Sequence, residues 1–212
     1  AAFSNPCPQE VVNKICEAPF LANHWDLGRS GLQLQVPEVP HVWENFSNAQ
    51  AAFIALSFWQ KVGDFAGVSA EEAEKMAGQM EGSEASTYAG YGSEWNGMFA
   101  VLRQKFKPGT EMANKLVQTG EAFLLYRQYH YGVDPVWSDN HDGSGLNCLG
   151  MQLMIIRDEL RRKEGRWTKT IRMSLDLVTG KMYSSIAEAT WREAVYTAVA
   201  AVENAELQVH GA

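Results

Sequence analysis

Apolar residues return at Leu149, Leu153, Ile156 and Leu160, steps of four, three and four that predict a helix over 146–162, with Met154 widening its apolar face. Ahead of it, Asp139-Asn140-His141-Asp142-Gly143-Ser144-Gly145 is polar and glycine-bearing, so a loop is expected, with Asn147 capping the helix. The open N–H groups of such a start favour an anionic ligand, a property that most helix starts share. Ala49, Ala52, Phe53, Leu56 and Trp59 or Gln60 predict a second buried helix from about Glu44 to Val62. Ser69 caps a third over 69–80, with Glu71 and Glu72 favourably placed in its first turn. Met98, Val101, Leu102 and Phe106 line a fourth, ended by Pro108-Gly109, and short helices are expected over 9–17 and 112–118.

Other stretches change period. Leu32, Leu34, Val36 and Val39 among Pro37 and Pro40 predict an extended segment or edge strand over 30–42, and Phe123-Leu124-Leu125-Tyr126 a short buried strand. The segment 81–92, rich in Gly, Ser and Tyr, reads as loop. Over 169–178, Ile171, Met173, Leu175 and Leu177 alternate with Arg172, Ser174 and Asp176, which predicts a half-buried strand; Thr179-Gly180 turns it and 181–184 returns as a hairpin partner. A last helix over 185–205 carries Ile186, Trp191, Val195, Val199 and Val202 on one broad face. The fold class is therefore α+β, mainly helical with short strands, extended by a carboxyl-terminal β-hairpin and amphipathic helix. Residues 1–165 form the main domain with an amino-terminal extension, and 166–212 pack on it. The wide face of the last helix suits closure of the domain, shielding of a sheet edge or a homo-oligomer contact.

Composition narrows the classes. A chain of 212 residues, 46% hydrophobic, is ordinary globular material, and 18 Lys and Arg against 25 Asp and Glu give −7, which disfavours a surface built for nucleic acid. Its basic cluster, Arg161, Arg162, Lys163 and Arg166, sits where cations suit a helix end. Neither a membrane-spanning run nor a signal peptide is visible, so a cytoplasmic protein without membrane attachment is expected, a mature secreted form being left open. The three cysteines fit either a Cys7–Cys16 pair with Cys148 buried or, more simply, three reduced thiols. The sequon Asn45-Phe46-Ser47 matters only in a secreted chain. His130, His141, Asp139 and Asp142 lack metal-ligand spacing, and Gly143-Ser144-Gly145 is followed by no P-loop Lys-Thr, so neither metal nor cofactor is expected.

Four segments in order, Lys105-Phe106, Leu116-Val117-Gln118-Thr119-Gly120, Asp134-Pro135-Val136-Trp137, and Asn147-Cys148-Leu149-Gly150 through Arg157, resemble the NADAR (YbiA-like) family over about 42–163. Phe20 to Trp25 matches the family's phenylalanine-rich entry loosely. The resemblance implies NAD or ADP-ribose metabolism and cleavage of N-glycosidic bonds in nucleotide-like ligands. It sets Glu44 on the family's catalytic Glu, with Asn48-Ala49 after it and Ala51 where a Lys is usual; a second frame anchored on Phe53 puts Gln50 and Ser57 at the charged positions. Tyr88, Tyr91 or Trp95 would supply an aromatic platform. Tyr126 stands where a Glu is usual, and Ser138 where Gly is usual.

The implied site is Glu44, Asp134 and Asp139 for chemistry, with Asn48, Tyr91, Trp95, Lys105, Trp137, Asn147 and Gly150 for ligand binding. Trp137 would stack the base, Glu44 act as principal acid, and Asp134 or Asp139 orient water on the way to an oxocarbenium-like state. Without the resemblance, Glu44 reads as a solvated carboxylate at a helix start. The competing function is a non-catalytic descendant serving in nucleotide binding, storage, defence or assembly, since a fold does not establish an activity.

Overall fold

The computed structural model describes residues 1–4 and 11–210. In chain order the elements are β1 (Ala2–Phe3), α1 (Val11–Cys16), β2 (Leu32–Val36), β3 (Val39–Phe46), α2 (Ala49–Ala55), α3 (Val62–Phe65) and α4 (Ala70–Gln79). There follow α5 (Glu94–Lys105), α6 (Glu111–Gln118), β4 (Leu125–Tyr126), α7 (Cys148–Arg161), α8 (Arg166–Ser174) and α9 (Ser185–His210). This is an α+β fold, mainly helical. The chain divides into two compact units, one of Asn23–Lys107 and the other of Ala1–Ala22 with Pro108–Ala212.

In the 23–107 unit, β2 and β3 pair antiparallel, with Leu32 opposite Phe46 and Leu34 opposite Glu44. Alternation along β2 puts Leu32, Leu34 and Val36 inside, where they meet Phe46 and the small residues Ala49, Ala52 and Ala55 of α2. The helix expected from Glu44 starts only at Ala49. The Asn48 side chain accepts the Ala51 N–H at 2.7 Å, and the residues before it are held in the strand ladder, so Glu44 opens no helix. The Ser69 cap of α4 is as expected, accepting from the Glu72 N–H at 3.2 Å.

The other unit is built around α7, whose residues Cys148 to Asp158 are buried on all sides. Helices α6 and α8 pack on it, and α9 packs on α1, α8 and β4. The strand expected at 123–126 is present as β4, paired parallel with β1 so that Phe3 and Tyr126 stack at 5.4 Å.

The hairpin expected over 169–184 is replaced. Residues 166–174 form α8, and the only trace of pairing among the described residues there is a bridge between Leu175 and Met182. The alternation was misleading because Met173, which a strand would turn inward, is 80% exposed. What is buried is Thr168, Ile171, Ser174 and Leu175, a row at helical spacing. Its hydroxyls are satisfied by backbone carbonyls, Thr168 Oγ1 donating across to Met154 of α7 at 3.3 Å and Ser174 Oγ to Thr170 within the helix at 3.0 Å. In α9, Trp191, Val195 and Val199 are buried at steps of four, while Ile186 lies in solvent, so the buried face is narrower than expected. Among the described residues no helix is long and apolar enough to cross a membrane. Cys148 is buried, and the Cys7–Cys16 pairing lies outside the described residues.

Candidate functional site

Residues 134–150 form one tightly bonded substructure of the 1–22/108–212 unit. Asp134 Oδ1 accepts the Trp137 N–H at 2.9 Å, and the Asp134 carbonyl accepts Ser138 Oγ at 2.6 Å, which closes the turn. That turn is zipped to the start of α7 through main-chain bonds. The N–H groups of Leu146, Asn147, Cys148 and Leu149 donate to the carbonyls of Pro135, Ser138, Val136 and Trp137 at 2.9–3.2 Å. Two of the N–H groups expected to attract an anion at this helix start, those of Cys148 and Leu149, are therefore already engaged by the turn.

The result holds a carboxyl group and an indole on one rigid turn. Asp134 and Trp137 are both half-buried. Burial pushes the Asp134 carboxyl above its usual range, and the nearby Asp139 charge adds to the rise, against the N–H groups of Trp137 and Val136. Asp139 itself is fully buried: Oδ2 pairs with Arg127 Nη1 at 2.9 Å, while Oδ1 accepts the N–H groups of Gln128 at 2.7 Å and His141 at 3.0 Å. Asp139 is thus the hub that folds the loop.

Asn147 occupies the cap position with φ of 52°, yet its side chain caps nothing. Instead Oδ1 accepts the Tyr126 N–H and Nδ2 donates to the Leu124 carbonyl, both at 2.9 Å, so the amide pairs with β4 as a further strand would. This corrects the expected cap. Replacing Asn147 with Ala would leave both backbone groups buried without those partners, and a loss of about 2–4 kcal/mol is expected in chemical denaturation.

The remaining expected residues belong to the 23–107 unit. Glu44 is half-buried in β3. Asn48 is the α2 cap, and its Nδ2 donates to the Val68 carbonyl at 2.9 Å. Tyr91 donates its hydroxyl to the Gln35 carbonyl at 2.8 Å, and Trp95 is buried in a stack with Phe99 at 6.1 Å. Ala51 is wholly buried in the core, and Tyr126, in the other unit, is stacked on Phe3. A cavity of about 300 Å³ is lined by Phe53, Ser57, Phe58, Glu81, Glu84 and Tyr88 among others. Ser57 and Tyr88 are positions the sequence had singled out; Glu81 and Glu84 are not, and their only signal is two carboxylates in a glycine- and serine-rich loop.

Lys105 ends α5 at 3% exposure, and burial pulls its amine from 10.5 to about 7. Between those values the unfolded chain keeps a proton that the native amine has lost, so stability rises with pH across the window, by up to roughly 1.4 kcal/mol per pH unit. Below the lower value both states are protonated and the contribution is flat. The Lys105→Met variant is expected to lose this rise when stability is measured from pH 7 to 10.

Three comparisons bear on what this arrangement is. No family model matches the chain. Over 97 residues it is 32% identical to a riboflavin biosynthesis protein of Vibrio vulnificus, a match covering 44% of the chain. The chain spans 26% of that relative's length. The NMR structure of the E. coli protein YbiA superposes with a TM-score of 0.53 at 20% identity, covering 76% of this chain and 86% of that one. The chain has the YbiA-like fold. Both matches support the NADAR resemblance carried by residues 42–163. Within the YbiA-like chain, the structure brings Asp134, Trp137, Asp139, Asn147 and Gly150 into one substructure, while Glu44, Asn48, Tyr91, Trp95 and Lys105 lie in the other unit. Among the described residues, no group of three or more His, Cys, Asp and Glu side chains is placed to hold a metal.

Proposed function

We propose that this YbiA-like chain binds a nucleotide or ADP-ribose-type ligand against the Asp134–Trp137 turn and hydrolyses its N-glycosidic bond, with Asp134 as the acid. The observation that carries this reading is the half-buried Asp134 carboxyl, raised above its usual range and locked three residues from a half-buried indole. An indole offers a flat apolar face to a base or nicotinamide ring. A carboxyl with raised pKa holds a proton at higher pH than an ordinary one, as a general acid must. As the bond from the anomeric carbon to nitrogen breaks, the base leaves with the electron pair and takes the Asp134 proton. The carboxylate that remains stabilises the oxocarbenium-like sugar and receives a proton from the water that adds to it.

The test is a turnover screen of NAD, ADP-ribose, ADP-ribosylated guanosine and ADP-ribosylated RNA, with free base read by chromatography. The Vibrio relative's name adds riboflavin precursors to the panel. Released base is expected, with a rate that falls as pH rises through the raised Asp134 pKa. A second reading, a nucleotide-binding protein without turnover, is favoured by Ala51 and Tyr126, apolar or aromatic and packed where the family carries charge. Heat of binding without released base would select it.

A further inference from the structure

Helix α9 lies outside the span that resembles the NADAR family, yet it contacts the segments on either side of the Asp134–Trp137 turn at several points. Near its start, the wholly buried Trp191 donates Nε1 to the Leu146 carbonyl at 2.8 Å. The Leu146 N–H in turn donates to the Pro135 carbonyl at 2.9 Å, so one residue links the indole to the turn. Midway along, Gly143 packs so closely on Tyr196 that a Cβ there would lie 2.9 Å from the Tyr196 Cα. About three turns after Trp191, Glu203 Oε1 pairs with Arg127 Nη2 at 3.0 Å, and Arg127 Nη1 pairs with the loop hub Asp139 at 2.9 Å. One turn further, Glu206 accepts the Tyr129 hydroxyl at 3.1 Å.

The held segment would not keep its shape by local propensity. Asn140, His141 and Asn147 all have positive φ, at 58°, 76° and 52°, a region that L residues other than asparagine and aspartate seldom adopt. Such a segment persists where surrounding contacts over-determine it, and α9 supplies contacts at both ends of the loop.

We infer that α9 is a clamp that sets the geometry of the ligand turn, with Trp191 and Glu203 as positioning residues. The inference rests on the reading of that turn as the ligand site. Loosening the clamp leaves Asp134 and Trp137 in the chain but lets the turn sample other shapes, so ligand must re-form it on binding. The effect then falls on affinity. By linkage, ligand on the turn tightens α9 to the same degree.

The test uses the full chain with Trp191→Phe and Glu203→Ala made separately. Glu203 has a half-exposed side chain, so its removal leaves the core untouched. Amide hydrogen exchange is read at Leu146, Asn147, Cys148 and Leu149, with the amides of α5 in the other unit as reference. KM and kcat are read with NAD. Exchange at the four amides is expected to quicken roughly tenfold in both variants with α5 unchanged, and KM to rise roughly tenfold while kcat stays within about twofold. Unchanged exchange at those amides in Glu203→Ala overturns the clamp. Faster exchange throughout in Trp191→Phe, with nothing local in Glu203→Ala, overturns it too and makes Trp191 a plain core residue. If the wild-type chain neither binds nor turns over NAD, the exchange result still decides the clamp, and the functional reading fails separately in the substrate screen.

Discussion

Gly150→Ala is expected to destabilise the 1–22/108–212 unit by about 3 kcal/mol, although the same exchange in an open helix is favourable by about 1 kcal/mol. A Cβ on residue 150 would stand 2.1 Å from the Leu124 carbonyl oxygen and 2.4 Å from Asn147 Nδ2. Both atoms are fixed, since they bond one another at 2.9 Å where the Asn147 amide joins β4. Neither can retreat without breaking that junction. Gly78 in α4 provides the control, because a Cβ there meets nothing within 4 Å. Gly78→Ala should raise stability by about 0.5–1 kcal/mol. Chemical denaturation of the two variants side by side checks the pair, and a neutral Gly150→Ala would mean that β4 does not press on the first turn of α7.

Asp139→Ala should cost about 3–5 kcal/mol, the range for stripping one partner from a buried ion pair. Arg127, 4% exposed, would keep its charge with Glu203 as its one remaining ionic partner among the described residues, and the N–H groups of Gln128 and His141 would lose their acceptor together. Asp139→Asn keeps one acceptor oxygen and should cost less. This ordering separates the two roles considered for Asp139. A hub loses stability in proportion to the bonds removed, whereas a water-orienting carboxylate would lose turnover in Asp139→Asn while the fold stayed intact. The geometry favours the hub, because both carboxylate oxygens already serve the loop and its arginine.

The sequence disclosed what depends on near neighbours. Helix α7 was legible from its four-three-four spacing and α4 from Ser69 and the acidic first turn, whereas Asp134 and Trp137 were singled out by the family resemblance, which did not announce the turn that joins them. What failed depends on partners far along the chain. Asn147 looked like a cap because it stands before a helix, and its actual partners, Leu124 and Tyr126, are over twenty residues earlier. The extended segment expected over 30–42 covers β2 and the first half of β3, but the second half, 43–46, was hidden because nearly all the side chains of β3 face solvent, leaving only Phe46 buried to mark it. Helix α8 was misread because two of its three buried positions are Thr168 and Ser174, whose hydroxyls donate to backbone carbonyls and so are buried without being apolar. The pattern of apolar residues cannot register a polar side chain whose hydroxyl is buried against a backbone carbonyl.

Asp134→Asn, measured for base release and ligand binding at fixed pH with its denaturation midpoint alongside, tests most directly whether the Asp134 carboxyl does the chemistry. Asparagine keeps the oxygen that accepts the Trp137 N–H, so the turn should survive, and removing a partly buried carboxylate should leave stability equal or slightly higher at neutral pH. Binding within a few-fold of wild type is expected, with turnover lower by roughly 10²–10⁴. Wild-type turnover in an intact Asp134→Asn protein would contradict this and move the chemistry away from this turn.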